Sequence, residues 1–151
     1  MEKMGMVSDY HITLNQNFKN CDVTTHDYGS EQLHVIRSTG PVGRRERIPV
    51  FEEILKSNSS GNFFYILDNR GGHEIEMTPA DMTFLNEMLI NGGIRYVRGA
   101  VITNDHAYSI LVSMANAKAK AQNFDVELMS TTDYDTAETF VLSRLRELLK
   151  S

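Results

Sequence analysis

The run Phe63-Phe64-Tyr65-Ile66-Leu67, bounded by Asn62 and Asp68, constrains this chain more than any other stretch. Five consecutive apolar or aromatic residues leave no polar face, so a strand made of them must be covered on both sides, as in a parallel sheet flanked by helices. It belongs at the centre of an α/β sheet. Asp68 marks the end of the strand, and a glycine-bearing loop leads to a helix start. Thr78 supplies the N-cap, Pro79 the first helical position, and Asp81 a carboxylate three residues after the cap, which suits the positive end of the helix dipole. Met82, Leu85, Met88 and Leu89 form the inward stripe of this helix.

The flanking sequence continues the pattern. Tyr10, Ile12 and Leu14 alternate with His11 and Thr13, the period of a half-buried edge strand. Asn15 to Ser30 is polar and irregular, with Val23 to Tyr28 as a short hairpin partner. Leu33, Val35 and Ile36 mark the next strand, closed by the turn formers Ser38-Thr39-Gly40-Pro41. A helix from about Arg44 carries Ile48, Phe51, Ile54 and Leu55 on one face, with Pro49 in or just before its first regular turn, and Ser57 to Gly61 stops it as the most flexible-looking linker. Asn91-Gly92-Gly93 ends the helix that begins at Pro79. Gly99 to Thr103 is a further strand; Asn104 or Asp105 caps a helix beginning near His106, with Ala107, Ile110, Leu111, Met114 and Ala117 inward. Phe124 to Met129 is the last strand, and Ala137, Phe140, Val141, Leu145, Leu148 and Leu149 keep helical spacing to the end. The expected fold is α/β, a mixed and mostly parallel sheet with an antiparallel edge strand and about four helices.

Composition narrows the class of function. At 151 residues, 41% hydrophobic and 23% charged, the chain suits one domain spanning 1–151, with residues 1–8 a loosely held terminus. A net charge of −5 argues against a general nucleic-acid binder, which needs a basic face to displace counterions from phosphates. Cys21 is the only cysteine, so there is neither an intrachain disulfide nor a zinc site built from paired cysteines, and its thiol has only Lys19 nearby to activate it. No stretch reads as a signal peptide or a membrane span, so the expected location is the cytoplasm, without membrane insertion.

The segments YILDNRGG…MTPADMTFLNEML, RGAVITND…AYSILVSMANA and FDVELMSTTDYDTAETFVL, in this order of elements, resemble the STAS-like group. These small domains are similar to bacterial anti-sigma-factor antagonists, with relatives among lipid-binding CRAL-TRIO domains. The likeness runs from about Gln32 to Leu149 and follows strand ends and helix starts rather than a catalytic signature. In the antagonists a serine or threonine at the start of the helix after the central strand is phosphorylated by a partner kinase, which switches partner binding. The resemblance places that role on Thr78, although the antagonists have Asp-Ser-Ser-Gly-like residues where this chain has Glu76-Met77-Thr78-Pro79. From the residues alone, Thr78 is a helix cap; a phosphate there would face backbone N–H groups and a positive helix end.

Other chemistry in an open α/β sheet gathers at the carboxyl ends of the parallel strands. Asp68, Arg70, His73, Thr103, Asp105 and His106 fall there. As an enzyme site they would offer a histidine base oriented by carboxylates, in acid–base or metal-assisted hydrolysis. No tight ligand spacing, nucleophile elbow or phosphate-binding glycine loop accompanies them, and a loop histidine or helix-capping aspartate explains each singly. No metal or cofactor is expected. Arg44, Arg45 and Arg47 sit at a helix start, where positive charge is unfavourable unless an anion or acidic partner answers it, although Glu46, Glu52 and Glu53 are near in sequence. That marks them as contacts for a phosphorylated ligand, a lipid headgroup or an acidic protein surface. His11 and His34 read as exposed strand positions, and the methionines as packing residues.

These observations lead to an expectation of binding rather than catalysis. The first reading is an interaction or regulatory module that presents the helix starting at Thr78, and the loop before it, to a partner protein. The second is a carrier for a lipid or other small apolar or anionic ligand, held between the arginine-bearing helix and the strand ends. A hydrolase with a His/Asp site is the third. Homodimerisation through an uncovered edge or helix face is compatible with each.

Overall fold

The non-alternating run at 63–67 is buried from both sides, and the order of the strands explains how. A computed structural model describes residues 10–149, so the expectation for residues 1–8 lies outside the described residues. In chain order come β1 (His11–Phe18), β2 (Cys21–Asp27), β3 (Gln32–Ser38), β4 (Val42–Gly43), α1 (Arg44–Ser57) and β5 (Asn62–Asp68). They are followed by β6 (Ile75–Glu76), α2 (Pro79–Asn91), β7 (Tyr96–Ile102), α3 (Ala107–Ala121), β8 (Asp125–Thr131) and α4 (Tyr134–Leu149). The main sheet has the order β1-β2-β3-β5-β7-β8. From β3 to β8 every pairing is parallel, whereas β2 runs antiparallel to both β1 and β3.

Because β3, β5, β7 and β8 follow one another across the sheet, crossovers of a single hand place α1, α2 and α3 on the same face. Phe63, Tyr65 and Leu67 point into that layer with Phe51, Ile54, Leu85 and Leu89. The chain then turns back, and α4 lies across β5 and β7 on the opposite face, where Ala137, Val141 and Leu145 meet Phe64, Ile66 and Ile102. Two helical layers therefore require two apolar faces on β5, which is what its sequence provides.

Several local expectations are corrected. The polar stretch after Leu14 is a regular hairpin: β1 and β2 pair along their length around Asn20, whose φ of 64° places it in the left-handed region that asparagine tolerates. β1 is the sheet edge, but Tyr10 and Ile12 are 43% and 53% exposed rather than half-buried, and an irregularity between Ile12 and Leu14 disturbs its register. His34 is buried instead of exposed. Its Nδ1 lies 2.8 Å from Thr25 Oγ1, directly across the β2–β3 ladder, and its ring packs against Phe63. α3 is rotated from the expected face: Val112 and Ala119 are buried, whereas Ile110 is 57% exposed. Apolar side chains surround most of that helix, so periodicity alone did not select the side that packs on β8 and α2. The linker at 57–61 is tied down, with Ser60 and Asn62 donating to the buried Glu31 and Asn58 bonding both Gly61 and Asn62.

The small pair β4–β6, not anticipated from sequence, joins the start of α1 to the loop before α2. It brings the two candidate regions, the arginine-bearing helix start and the Thr78 helix start, side by side.

Candidate functional site

The loop between β5 and β6 is built around Asn69, which is fully buried. Its Oδ1 accepts from Ser38 Oγ at 2.5 Å and from the His73 backbone N–H at 3.1 Å, while its Nδ2 donates to the His73 carbonyl at 2.8 Å. Tyr108 of α3 completes the anchor: its hydroxyl donates to the same carbonyl at 2.8 Å and accepts from the Ile75 N–H at 3.0 Å. One side chain from the loop and one from α3 thus satisfy backbone groups that the turn would otherwise leave unpaired. Neither Asn69 nor Tyr108 was singled out from the sequence. The signal available for Asn69 was its place directly after a strand end and before Gly71-Gly72, where an asparagine side chain commonly organises a turn.

Of the residues expected at this edge, Asp68 and Arg70 come together. Arg70 grips the Asp68 carboxylate with two hydrogen bonds of 2.9 and 2.7 Å, and its guanidinium lies 5.3 Å from the Tyr134 ring centroid. Burial alone would raise the Asp68 pKa, but the hydrogen bonds and charge of Arg70 hold it below the ordinary carboxylate value. Thr103 is buried and its Oγ1 accepts from the Asp105 N–H, while Asp105 Oδ1 accepts from Ala107 N–H at the start of α3. Thr103, Asp105, His106 and residues 130–132 border an open polar cleft of about 230 Å³. Among the described residues no hydrogen bond or ion pair joins the His73 or His106 imidazole to a carboxylate, and no group of three or more His, Cys, Asp or Glu side chains is arranged for a metal ion. The carboxylates at this edge act as an ion-pair member and a helix cap, and the geometry does not assemble an oriented histidine base.

The start of α2 matches its sequence closely. Thr78 Oγ1 accepts from Asp81 N–H at 3.1 Å and Asp81 Oδ2 accepts from Thr78 N–H at 3.0 Å, a reciprocal capping box. Hydrogen bonding from Thr78 to the carboxylate, foremost from its backbone N–H, holds the Asp81 pKa below its ordinary value, with a smaller contribution from the charge of Arg44. Ala80, Phe84, Glu87 and Asn91 recur at helical spacing on the solvent side, with Phe84 39% exposed. Arg44 reaches across from α1 with its guanidinium 4.1 Å above the Phe84 ring and 3.7 Å from Asp81.

The three arginines expected to act as a group are divided. Arg44 and Arg45 are exposed, whereas Arg47, one turn on, enters the layer between α1, α2 and the sheet. There its Nε is closed to solvent and, among the described residues, has no hydrogen-bond partner. Two adjoining cavities of about 60 and 70 Å³ share Arg47, Tyr65, Met77, Met82, Ala115 and Leu128 as walls. The long acyl chain of a lipid needs a larger enclosed space than either provides. Cys21 lies close enough to Arg47 to feel its charge, yet burial pushes its thiol up to about 11, so it remains an inert neutral group.

No protein-family model matches the chain, and no curated protein matches it. The fold is SpoIIAA-like, the STAS-like arrangement of a mixed sheet and four helices. Among solved structures, the chain is similar to the crystal structure of an uncharacterised DUF3478-family protein with a SpoIIAA-like fold from Shewanella loihica PV-4. The TM-score is 0.51 at 11% identity, over 85% of this chain and 98% of that one. At that identity the likeness establishes the fold alone. Among the described residues no helix is long and apolar enough to cross a membrane.

Proposed function

We propose that this protein is a regulatory binding module that docks a partner protein on the outer face of α2 and the loop before it. The observation that carries the reading is the Arg44–Phe84 stack beside the exposed entry of α2: an aromatic ring left at the surface and covered on one side by a cation. Such a pair offers apolar area together with positive charge, so the matching partner presents an apolar side chain flanked by carboxylates. The rigidity of the loop, pinned by Asn69 and Tyr108, gives this face a fixed shape before binding, which lowers the entropic cost of association. The SpoIIAA-like fold supports an interaction role by analogy.

Thr78 is the natural point of control. A phosphate on its Oγ1 would meet the α2 N-terminus and lie within the surroundings of Arg44, but it would also confront the Asp81 carboxylate that now completes the cap. Modification would therefore reopen the capping box and alter the docking face. The test is site-specific photocrosslinking from position 84 in the native cells, followed by binding measurements with each captured protein. The reading expects a partner that binds the purified wild type and loses at least ~10-fold in affinity, or about 1.4 kcal/mol, with Phe84→Ala or Arg44→Glu. Crosslinks confined to a second copy of the chain, or binding indifferent to both substitutions, would overturn it.

A further inference from the structure

The cavities beneath α2 are bordered by a guanidinium that makes no hydrogen bond or ion pair among the described residues. Arg47 is half-buried as a residue and follows the first three positions of α1, and its Nε is buried without a hydrogen-bond partner among the described residues. The nearest carboxylate in sequence, Glu46, is committed elsewhere, since its Oε1 accepts from the Gly43 N–H at 2.7 Å in the cap of α1. Tyr65 lines the same two cavities, and among the described residues its hydroxyl makes no hydrogen bond. Burial depresses the arginine pKa and raises that of the tyrosine, so the tyrosine remains a neutral donor beside the guanidinium. Apart from Tyr108 and Asn86, whose polar atoms bond the β5–β6 loop and Gln122, the remaining walls are apolar, among them Met77, Met82, Val112 and Leu128. A guanidinium nitrogen buried without an acceptor is costly, and a guanidinium paired with an anion is among the stronger contacts available to a protein.

We propose that Arg47 and Tyr65 form the head of an internal site for a short-chain monocarboxylate, whose aliphatic tail occupies the apolar space between α2, α3 and the sheet. The single positive charge selects a monoanion: a phosphate ester near its second ionisation would bring an extra negative charge into an apolar cavity with no second cation to meet it. The planar fork of the guanidinium matches a carboxylate, and the tyrosine hydroxyl donates to the same oxygens. Size selects a short tail. A dry protein cavity of about 150 Å³ takes up benzene, so adjoining spaces of about 60 and 70 Å³ suit an acid of about four carbons. Met77, Leu111 and Ala115 keep partial exposure, which places the way in between α2 and α3. Flexible methionines at 77 and 82 make that wall adaptable. The site lies beneath the proposed docking helix but does not depend on a partner binding there.

The experiment is a titration of the full chain, labelled at its methionine methyl groups, with sodium butyrate, followed by NMR. Butan-1-ol and butylamine serve as the neutral and cationic probes. The proposal expects saturable shifts of the Met77 and Met82 methyls with butyrate, and binding of butanol and butylamine weaker by at least ~10-fold, the loss of one charge-assisted contact. Arg47→Met should abolish the butyrate response while the protein stays folded by circular dichroism, and Tyr65→Phe should weaken it several-fold. If Arg47→Met does not fold, Arg47→Lys replaces it, with the expectation of weaker but saturable binding. No saturable shift with butyrate in the wild type, equal binding of butanol, or undiminished binding by the arginine variant would each overturn the proposal. The photocrosslinking result at Phe84 is independent of all three.

Discussion

Tyr65 and Gly99 are partners across the parallel β5–β7 ladder, and the tyrosine ring lies over the glycine backbone: a Cβ built on Gly99 would fall 2.5 Å from Tyr65 Cε2 and 2.7 Å from Cζ. The missing side chain on β7 is therefore what lets the ring lie beside the cavities shared with Arg47. Gly99 is not in a left-handed conformation, so the constraint is close approach rather than backbone strain. Gly99→Ala is expected to displace the Tyr65 ring towards the adjoining cavities and cost about 1–3 kcal/mol as local overpacking. A lower urea midpoint with an unchanged slope would show it, and Tyr65→Leu in the same background should recover part of the loss.

The Tyr108 hydroxyl holds two backbone groups of the β5–β6 loop. Tyr108→Phe keeps the ring and removes only that bridge, leaving the Ile75 N–H without its acceptor and the His73 carbonyl with Asn69 alone. The expected cost is about 1–3 kcal/mol, the range for a partly buried group deprived of its partner. Hydrogen exchange should accelerate at Ile75 and at Val42, whose N–H donates to the Glu74 carbonyl, before it does in β5.

His34 makes stability depend on pH. Burial, with a smaller contribution from His26, lowers its pKa from 6.5 to about 3. The folded protein thus binds fewer protons than the unfolded chain between those values, so the stabilisation is complete above the unfolded pKa and is lost as pH falls towards the folded one. The slope from this group is at most about 1.4 kcal/mol per pH unit. Asp68, whose pKa is depressed by Arg70 against the effect of burial, adds a loss of the same sign at lower pH. Urea unfolding at a series of pH values from 7 to 4 should show a slope that His34→Gln flattens by close to one proton.

Thr78 caps α2 at an exposed position, so its removal should act locally. Thr78→Ala is expected to cost about 1 kcal/mol, whereas Thr78→Ser should be near neutral because it keeps the accepting oxygen. Melting temperature orders the variants, and exchange of the Asp81 amide reports the cap itself. Equal stability of wild type and alanine variant would mean that the capping box contributes nothing measurable.

Most of the architecture was legible in the residues because local patterns reflect local physics. A run with two apolar faces requires cover on both sides, and Thr78-Pro79 with Asp81 starts a helix whatever surrounds it. Some assignments depended on what lay opposite. His34 occupies an alternating strand and reads as exposed, but Thr25 and Phe63 enclose it from other strands. Ile110 and Val112 are similarly apolar, and only the rotation of α3 against β8 and α2 decided which is buried.

The candidate site divides in the same way. The central strand, the helices, the capped entry at Thr78 and the arginines at the start of α1 can be read from the residues alone. Folding was needed to place Arg44 outside on Phe84 and Arg47 inward beside Tyr65, and to bring Asn69 and Tyr108 onto the β5–β6 loop. Hydrophobic period and capping act over a few neighbouring residues and are written in the chain. Burial of a charge and the space beside a tyrosine are set by residues tens of positions apart, and exist only once the strands have paired.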